Sequence, residues 1–182
     1  MITHSLQRYL GEPEKKFRPD VSRSEERLVL PWFAVYVRPK AERTVERALR
    51  EKGLEAFAPY YRSRRRWRDR TVERDFPLFP GYLFARTDRL QRLSIVSTTG
   101  VLGIVGFGGQ AAELSEEEVL SVRKLAEVMQ NVTPHPFLRV GRKIRVKTGP
   151  LAGVEGVVVR CKGGHRLVVS ISLLQRSIAA EL

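Results

Sequence analysis

Pro134 and Pro136 flank a single histidine, and the hydrophobic patterning of the chain differs on their two sides. Proline has no backbone N–H to donate and restricts the residue before it. The stretch Asn131-Val132-Thr133-Pro134-His135-Pro136 therefore favours neither helix nor strand ladder and reads as a linker. Beyond it, residues 143–147, 154–160, 166–171 and 177–181 are short strand-like runs. They are separated by Gly149-Pro150, Lys162-Gly163-Gly164-His165 and Leu174-Gln175. Strands at roughly ten-residue spacing fit a small all-β barrel. A length of 182 residues accommodates two small domains. The expected division is a body over 31–130, a linker over 131–137 and a second domain over 138–182. Residues 1–30 mix charges with Pro13, Pro19 and few large apolar side chains, so a flexible extension with a short helix over 25–30 is expected there.

In the body, Trp32-Phe33-Ala34-Val35-Tyr36-Val37 is aromatic and β-branched without charge, as a buried strand would be. Ala41, Val45, Ala48 and Leu49 then recur at helical spacing, with Gly53 as a stop signal. Residues 54–61, 79–86 and 101–107 return to strand chemistry. The intervening basic stretch 62–74 reads as an exposed hairpin, because Arg-Asp-Arg at its tip cannot be buried unpaired. Ser115 with Glu118 three residues on predicts a capping box, and Glu116 and Glu117 suit the positive end of a helix dipole. Val119, Val122, Ala126 and Met129 give that second helix its apolar face. The order β-α-β-β-β-α specifies an α+β domain, with helices flanking a mostly antiparallel sheet.

Charge narrows the function. The chain carries 33 Lys+Arg against 20 Asp+Glu, a net +13. Residues 62–74 hold seven basic and two acidic groups, residues 138–182 nine and two, and residues 113–137 between them two and five. Clustered basic charge is the footprint of a polyanion, most often nucleic acid. The lone Cys161 cannot form an internal disulfide, and with three scattered histidines no structural zinc site is expected. No His, Ser or Cys has a partner pattern, and Glu116-Glu117-Glu118 is explained by capping, so neither an enzyme nor a cofactor is expected. Cys161 beside Lys162 reads as packing. The longest uncharged stretch, 93–112, is half Gly, Ser, Thr or Gln, a poor lipid-facing helix, and the N-terminus lacks a signal-peptide core. A monomeric cytoplasmic protein is expected.

Phe79-Pro80-Gly81-Tyr82-Leu83-Phe84, placed after the basic hairpin and the Trp32–Val37 strand, resembles the NusG family of transcription elongation and antitermination factors. Val140-Gly141-Arg142-Lys143-Ile144-Arg145-Val146 with Gly149-Pro150-Leu151-Ala152-Gly153-Val154-Glu155-Gly156 is similar to a KOW motif, and residues 100–109 to the last strand of an NGN domain. The Pro77-Leu78-Phe79-Pro80 and Ala56-Phe57-Ala58-Pro59 segments look closer to specialised paralogs of the RfaH, UpxY and LoaP types.

The resemblance implies an NGN domain that docks on the RNA polymerase clamp and suppresses pausing, and an SH3-like KOW barrel that recruits a second partner. Tyr82, Phe84 and Phe107 would form the apolar patch on polymerase, with Gln91, Arg92, Leu93 and Ser94 at the place of a second polymerase contact. Arg38, Lys40 and Arg43, and the hairpin residues Arg64, Arg65, Arg66, Trp67 and Arg68, would lie along non-template or upstream DNA. Ile171, Leu173, Leu174 and Arg176 would receive a ribosomal protein or RNA. Leu174 and Gln175 stand where housekeeping members have phenylalanine and glycine, which argues against Rho, and Pro39 and Thr44 interrupt a basic face. The competing reading is a basic RNA- or ribosome-binding KOW protein with no polymerase role.

Overall fold

A computed structural model describes residues 30–181, apart from 68–69, 89, 130, 139–140, 142 and 162–163. The extension expected over 1–30 lies outside the described residues but for Leu30. In chain order the elements begin β1 (Trp32–Val37), α1 (Glu42–Glu51), β2 (Glu55–Phe57), β3 (Tyr60–Trp67), β4 (Arg70–Pro77) and β5 (Tyr82–Arg86). There follow α2 (Arg92–Val96), β6 (Val101–Ile104), β7 (Gly106–Phe107), β8 (Gln110–Ala111), β9 (Glu113–Leu114) and α3 (Glu116–Val128). The last part is all β: β10 (Val132–His135), β11 (Lys143–Arg145), β12 (Glu155–Cys161), β13 (Gly164–Ile171) and β14 (Arg176–Glu181).

The first sheet runs β2-β5-β1-β6, with β9 also pairing β1, and every pairing is antiparallel. Alternation along β1 and β5 separates two apolar layers. Val35, Val37, Leu83 and Ala85 pack with Val45 and Leu49 of α1 and Ile95 of α2. Trp32, Ala34 and Phe84 pack on the other side with Val119, Val122 and Leu125 of α3. Both faces of the sheet are thus covered. Phe84, expected in an open patch, is 0% exposed, because alternation places it in the core that the first sheet shares with α3 and the second sheet, with the Phe57 and Phe79 rings 5.2 and 5.3 Å away.

The second sheet runs β10-β14-β13-β12-β11. Its apolar side, with Leu167, Val169, Ile171 and Ile178, joins the same core, so α3 lies between the two sheets. Ser121, buried on α3, accepts a 3.0 Å hydrogen bond from the Glu155 backbone N–H. Lys124 donates to the Ala152 carbonyl. The expected capping box is half formed: Ser115 Oγ accepts from the Glu118 N–H at 3.4 Å. The Glu118 carboxylate instead accepts from Ser172 N–H (3.1 Å) and Ser172 Oγ (2.6 Å) across the inter-sheet contact. Ser115 also donates to Glu117, and that hydrogen bond holds the Glu117 carboxyl below the usual carboxylate range.

Three local expectations change. Residues 132–135 are not a connector: they form β10, antiparallel to β14 with Pro134 opposite Ile178. Because β10 is an edge strand, the missing proline N–H costs no ladder bond on the open side. The predicted strand 54–61 breaks at Ala58-Pro59 into β2 and the start of β3. Helix α2 was hidden because Leu93 and Val96 face solvent and only Ile95 is buried, so the apolar periodicity carried no helical signal.

At Gly156, β12 passes close to β13. A Cβ built there would lie 2.5 Å from the Val168 carbonyl oxygen and 2.9 Å from Leu167 Cδ1. Gly156→Ala is expected to destabilise the full chain by about 1–3 kcal/mol, as overpacking does. Chemical denaturation checks this; an unchanged midpoint would contradict the packing described.

Candidate functional site

The end of the first sheet that α3 leaves uncovered carries two tyrosines facing each other. Tyr36 on β1 is opposite Tyr82 on β5 in the register, with ring centroids 5.2 Å apart. Tyr36 is 44% exposed although its strand neighbours are buried. The two rings begin a groove of about 810 Å³ that continues over Tyr60, Tyr61 and Phe76 at the base of the β3–β4 hairpin. Tyr61 and Phe76 stack there, 5.9 Å between centroids. Lys40, Arg43, Arg74 and Arg176 add positive charge to its lining. An aromatic floor with a basic rim can anchor apolar side chains while attracting an acidic surface.

The turn 79–82 that presents Tyr82 is fixed from below. Glu42, the first residue of α1, is 3% exposed and accepts the Gly81 N–H at 2.8 Å. Tyr82 N–H closes the turn on the Phe79 carbonyl at 2.9 Å. Gly81 has φ +83°, and a Cβ there would contact the Tyr36 ring at 3.5 Å. Close by, burial and the Glu42 carboxylate push the Tyr60 hydroxyl up to about 12, so it keeps its proton at neutral pH.

Arg43 is committed within the fold. It donates to Asp75 at 3.1 Å and lies over the Tyr60 ring at 4.4 Å. Asp75 also faces Arg62 at 3.6 Å. The Arg43 hydrogen bond holds the Asp75 carboxyl below its ordinary range and raises Arg43 in return. This ion pair fastens the hairpin base to α1, so Arg43 serves the hairpin's attachment first. Arg38 and Lys40 are exposed on the turn before α1, Lys40 with φ 65°.

The hairpin itself forms as expected, from Tyr60 opposite Pro77 to Trp67 opposite Arg70. Arg64, Arg65, Arg66 and Trp67 have register positions in it, and Arg68 lies outside the described residues. Phe107 stands 74% exposed on the small β7–β8 hairpin and does not line the groove. Arg92 lies over the Phe33 ring at 4.4 Å, and the Ser94 carbonyl accepts from Lys52 at 2.9 Å. Gln91 and Leu93 are exposed beside them, apart from the groove. Tyr36, Tyr60, Tyr61 and Phe76 also line the candidate groove, and no local motif marks them. The signal was available for Tyr36, which shares a face with Tyr82 once the two strands are paired antiparallel.

The segment 171–176 does not present a free surface. Ile171 is buried, Leu173 and Leu174 pack against the shared core, and Ser172 is held by Glu118. Arg176 donates to the Pro80 carbonyl at 3.1 Å and covers the Tyr82 ring at 4.9 Å. Pro134 and Arg176 thereby make one wall of the tyrosine groove.

Residues 30–123, just over half of the chain, match the family model described as NusG, transcription termination factor nusG. The chain belongs to the NusG family. Its N-terminal α+β body is the family's NGN-type domain, and the family's members are transcription factors and not enzymes. Among solved structures, one described as domain interaction in Thermotoga maritima NusG is 19% identical, with 83% of this chain and 93% of that chain covered at a TM-score of 0.45. The MjSpt4:Spt5 complex in conformation A is 13% identical, with 83% and 99% covered and a TM-score of 0.30. No curated protein matches the sequence. No helix among the described residues of this NusG-family chain is long and apolar enough to cross a membrane.

Proposed function

We propose that this NusG-family protein is an elongation and antitermination factor that docks on the clamp of RNA polymerase through the tyrosine groove and lowers pausing. The observation that carries the reading is the paired Tyr36 and Tyr82 rings at the uncovered end of the NGN sheet. Exposed aromatic anchors beside basic side chains are how a modest interface gains affinity, about 2 kcal/mol or more per anchor. Stronger binding to the closed clamp than to the open one is all the mechanism requires. The β3–β4 hairpin would lie along upstream or non-template DNA. The second sheet is read as the KOW domain, with a ribosomal protein or RNA as its partner once residues 171–176 leave the NGN face.

The test is retention of purified core RNA polymerase by the full chain, after nuclease treatment and at about 150 mM salt, where phosphate contacts weaken. Tyr36→Ala with Tyr82→Ala is expected to weaken retention by at least tenfold while the chain stays folded. Unchanged affinity in the folded double variant refutes the groove as the docking site. No retention of polymerase, with RNA or ribosomes recovered from an extract not treated with nuclease, would instead favour the basic RNA-binding reading, for which the C-terminal charge speaks.

A further inference from the structure

The link between β1 and α1 puts a lysine where turn chemistry asks for glycine. Ala41 N–H donates to the Arg38 carbonyl at 3.0 Å, closing a four-residue turn with Pro39 and Lys40 at its centre. Proline fixes φ at about −65° at the first central position. Lys40 follows with φ 65°. That combination is a type II turn, whose second central residue lies in the left-handed region and is ordinarily glycine or asparagine. Glycine has no Cβ to clash there, and the short amide of asparagine offsets the clash by bonding locally. Lys40 does neither.

One other non-glycine among the described residues has a positive φ, Gln175 at 51°. That turn is compensated locally, because the Gln175 side-chain amide donates to the Ser172 carbonyl at 2.7 Å and its backbone N–H to the same oxygen at 3.2 Å. Lys40 is exposed and makes no hydrogen bond or ion pair with any described residue. Nothing inside the fold therefore accounts for a side chain at this position. A charge wanted only for solubility could stand at any unstrained surface site. Backbone strain that the fold does not use marks a position held for function.

Lys40 lines the tyrosine groove. Two other cations of the rim are already engaged, Arg43 with Asp75 and Arg176 with the Pro80 carbonyl. So are both acids of the lining: Glu42 accepts the Gly81 N–H, and Asp75 faces Arg43 and Arg62. The groove thus offers an occupant an unpaired ammonium beside an aromatic floor. Its rings pair with one another, Tyr36 with Tyr82 and Tyr61 with Phe76, and Arg176 lies over Tyr82. Stacked bases need open ring faces, so this floor suits apolar side chains of a protein better. We infer that Lys40 is a recognition residue of the docking groove, its ammonium pairing with a carboxylate of the partner protein while that partner's apolar side chains seat on the tyrosines. The Pro39-Lys40 turn holds the ammonium in place before the partner arrives, which lowers the ordering cost of docking. This rests on the reading of the groove as the polymerase-docking site.

The test follows association of the full chain with immobilised, nuclease-treated core RNA polymerase across a salt series, for the native chain, Lys40→Gln, Lys40→Arg and Lys40→Gly. Rim charges act mainly on the association rate and its salt dependence. At about 50 mM salt Lys40→Gln is expected to slow association by roughly three- to tenfold, and the difference closes towards about 0.5 M as screening grows. Lys40→Arg keeps the charge and is expected to stay within about twofold of the native rate. Lys40→Gly removes charge and strain together, so association slows as in Lys40→Gln while the thermal midpoint rises by roughly 1–4 °C. A lysine with a merely structural role would not give tighter folding with slower docking. A native association rate in Lys40→Gln, or a lowered midpoint in Lys40→Gly, overturns the proposal; weakened binding by Tyr36→Ala with Tyr82→Ala would still keep the groove as the docking site. No binding of polymerase by the native chain would overturn the groove reading and this proposal with it. Normal polymerase association by Lys40→Gln, with weaker binding to a mixed-sequence DNA duplex, would overturn the carboxylate pairing and give the ammonium to a phosphate.

Discussion

Phe84→Ala is expected to lower the unfolding free energy of the full chain by about 3–5 kcal/mol, the range for truncating a buried aromatic. Phe84 has no exposed surface and sits against Phe79, edge to face at 5.3 Å, and Phe57 at 5.2 Å. Phe57 in turn meets Trp32 edge to face at 5.7 Å, so truncation leaves a cavity among rings that cannot collapse onto one another. Domains of this size are stable by about 5–15 kcal/mol, and the loss is a large share of that. Tyr82→Ala, at the half-buried end of the same strand, is expected to cost much less. Urea unfolding of both variants checks the contrast. A near-native midpoint for Phe84→Ala would contradict its place in the packed aromatic core. Loss of polymerase binding in that variant would report unfolding, which is why Tyr36 and Tyr82 are the informative pair.

The second large effect concerns the contact between the two sheets. Glu118 accepts two hydrogen bonds from Ser172, and Arg176 binds the Pro80 carbonyl above Tyr82. Hydrogen bonds to charged groups contribute about 1.5–3 kcal/mol each, and both sites here are partly exposed, so the lower end applies. Glu118→Ala with Arg176→Ala is then expected to shift the closed-to-open ratio of the sheets by at least about tenfold, at 1.4 kcal/mol per decade. If a docking partner competes with the second sheet for the tyrosine groove, apparent polymerase affinity rises as the competent fraction rises. The expected result is a larger radius of gyration in solution scattering and tighter polymerase binding by up to the same factor. A larger radius with unchanged or weaker binding would show that the wall made by Pro134 and Arg176 helps docking. An unchanged radius would show that the apolar core shared by α3 and the second sheet, which includes Val122, Leu167 and Ile178, holds the sheets closed without these contacts.

Local chemistry was sufficient for much of this molecule. The Trp32–Val37 strand, the helix through Val45 and Leu49, the Ser115 cap and the basic hairpin all follow from periodicity, capping and the cost of burying unpaired charge. These features are set by residues within a few positions of one another, so the sequence by itself determined them. Tertiary structure decided what covers what. Alternation placed Tyr82 and Phe84 on one face, but only the tertiary packing made Phe84 core and left Tyr82 lining the groove. Glu118 reads as a capping partner in sequence, yet its carboxylate is drawn to Ser172, fifty-four positions away. Arg43 reads as a free surface charge until the hairpin base brings Asp75 within 3.1 Å. Pro134 joins a ladder because β14 arrives beside it, leaving its N–H-less side at an edge. Burial, ion pairing and edge position are properties of pairs distant along the chain, and no local window contains both members.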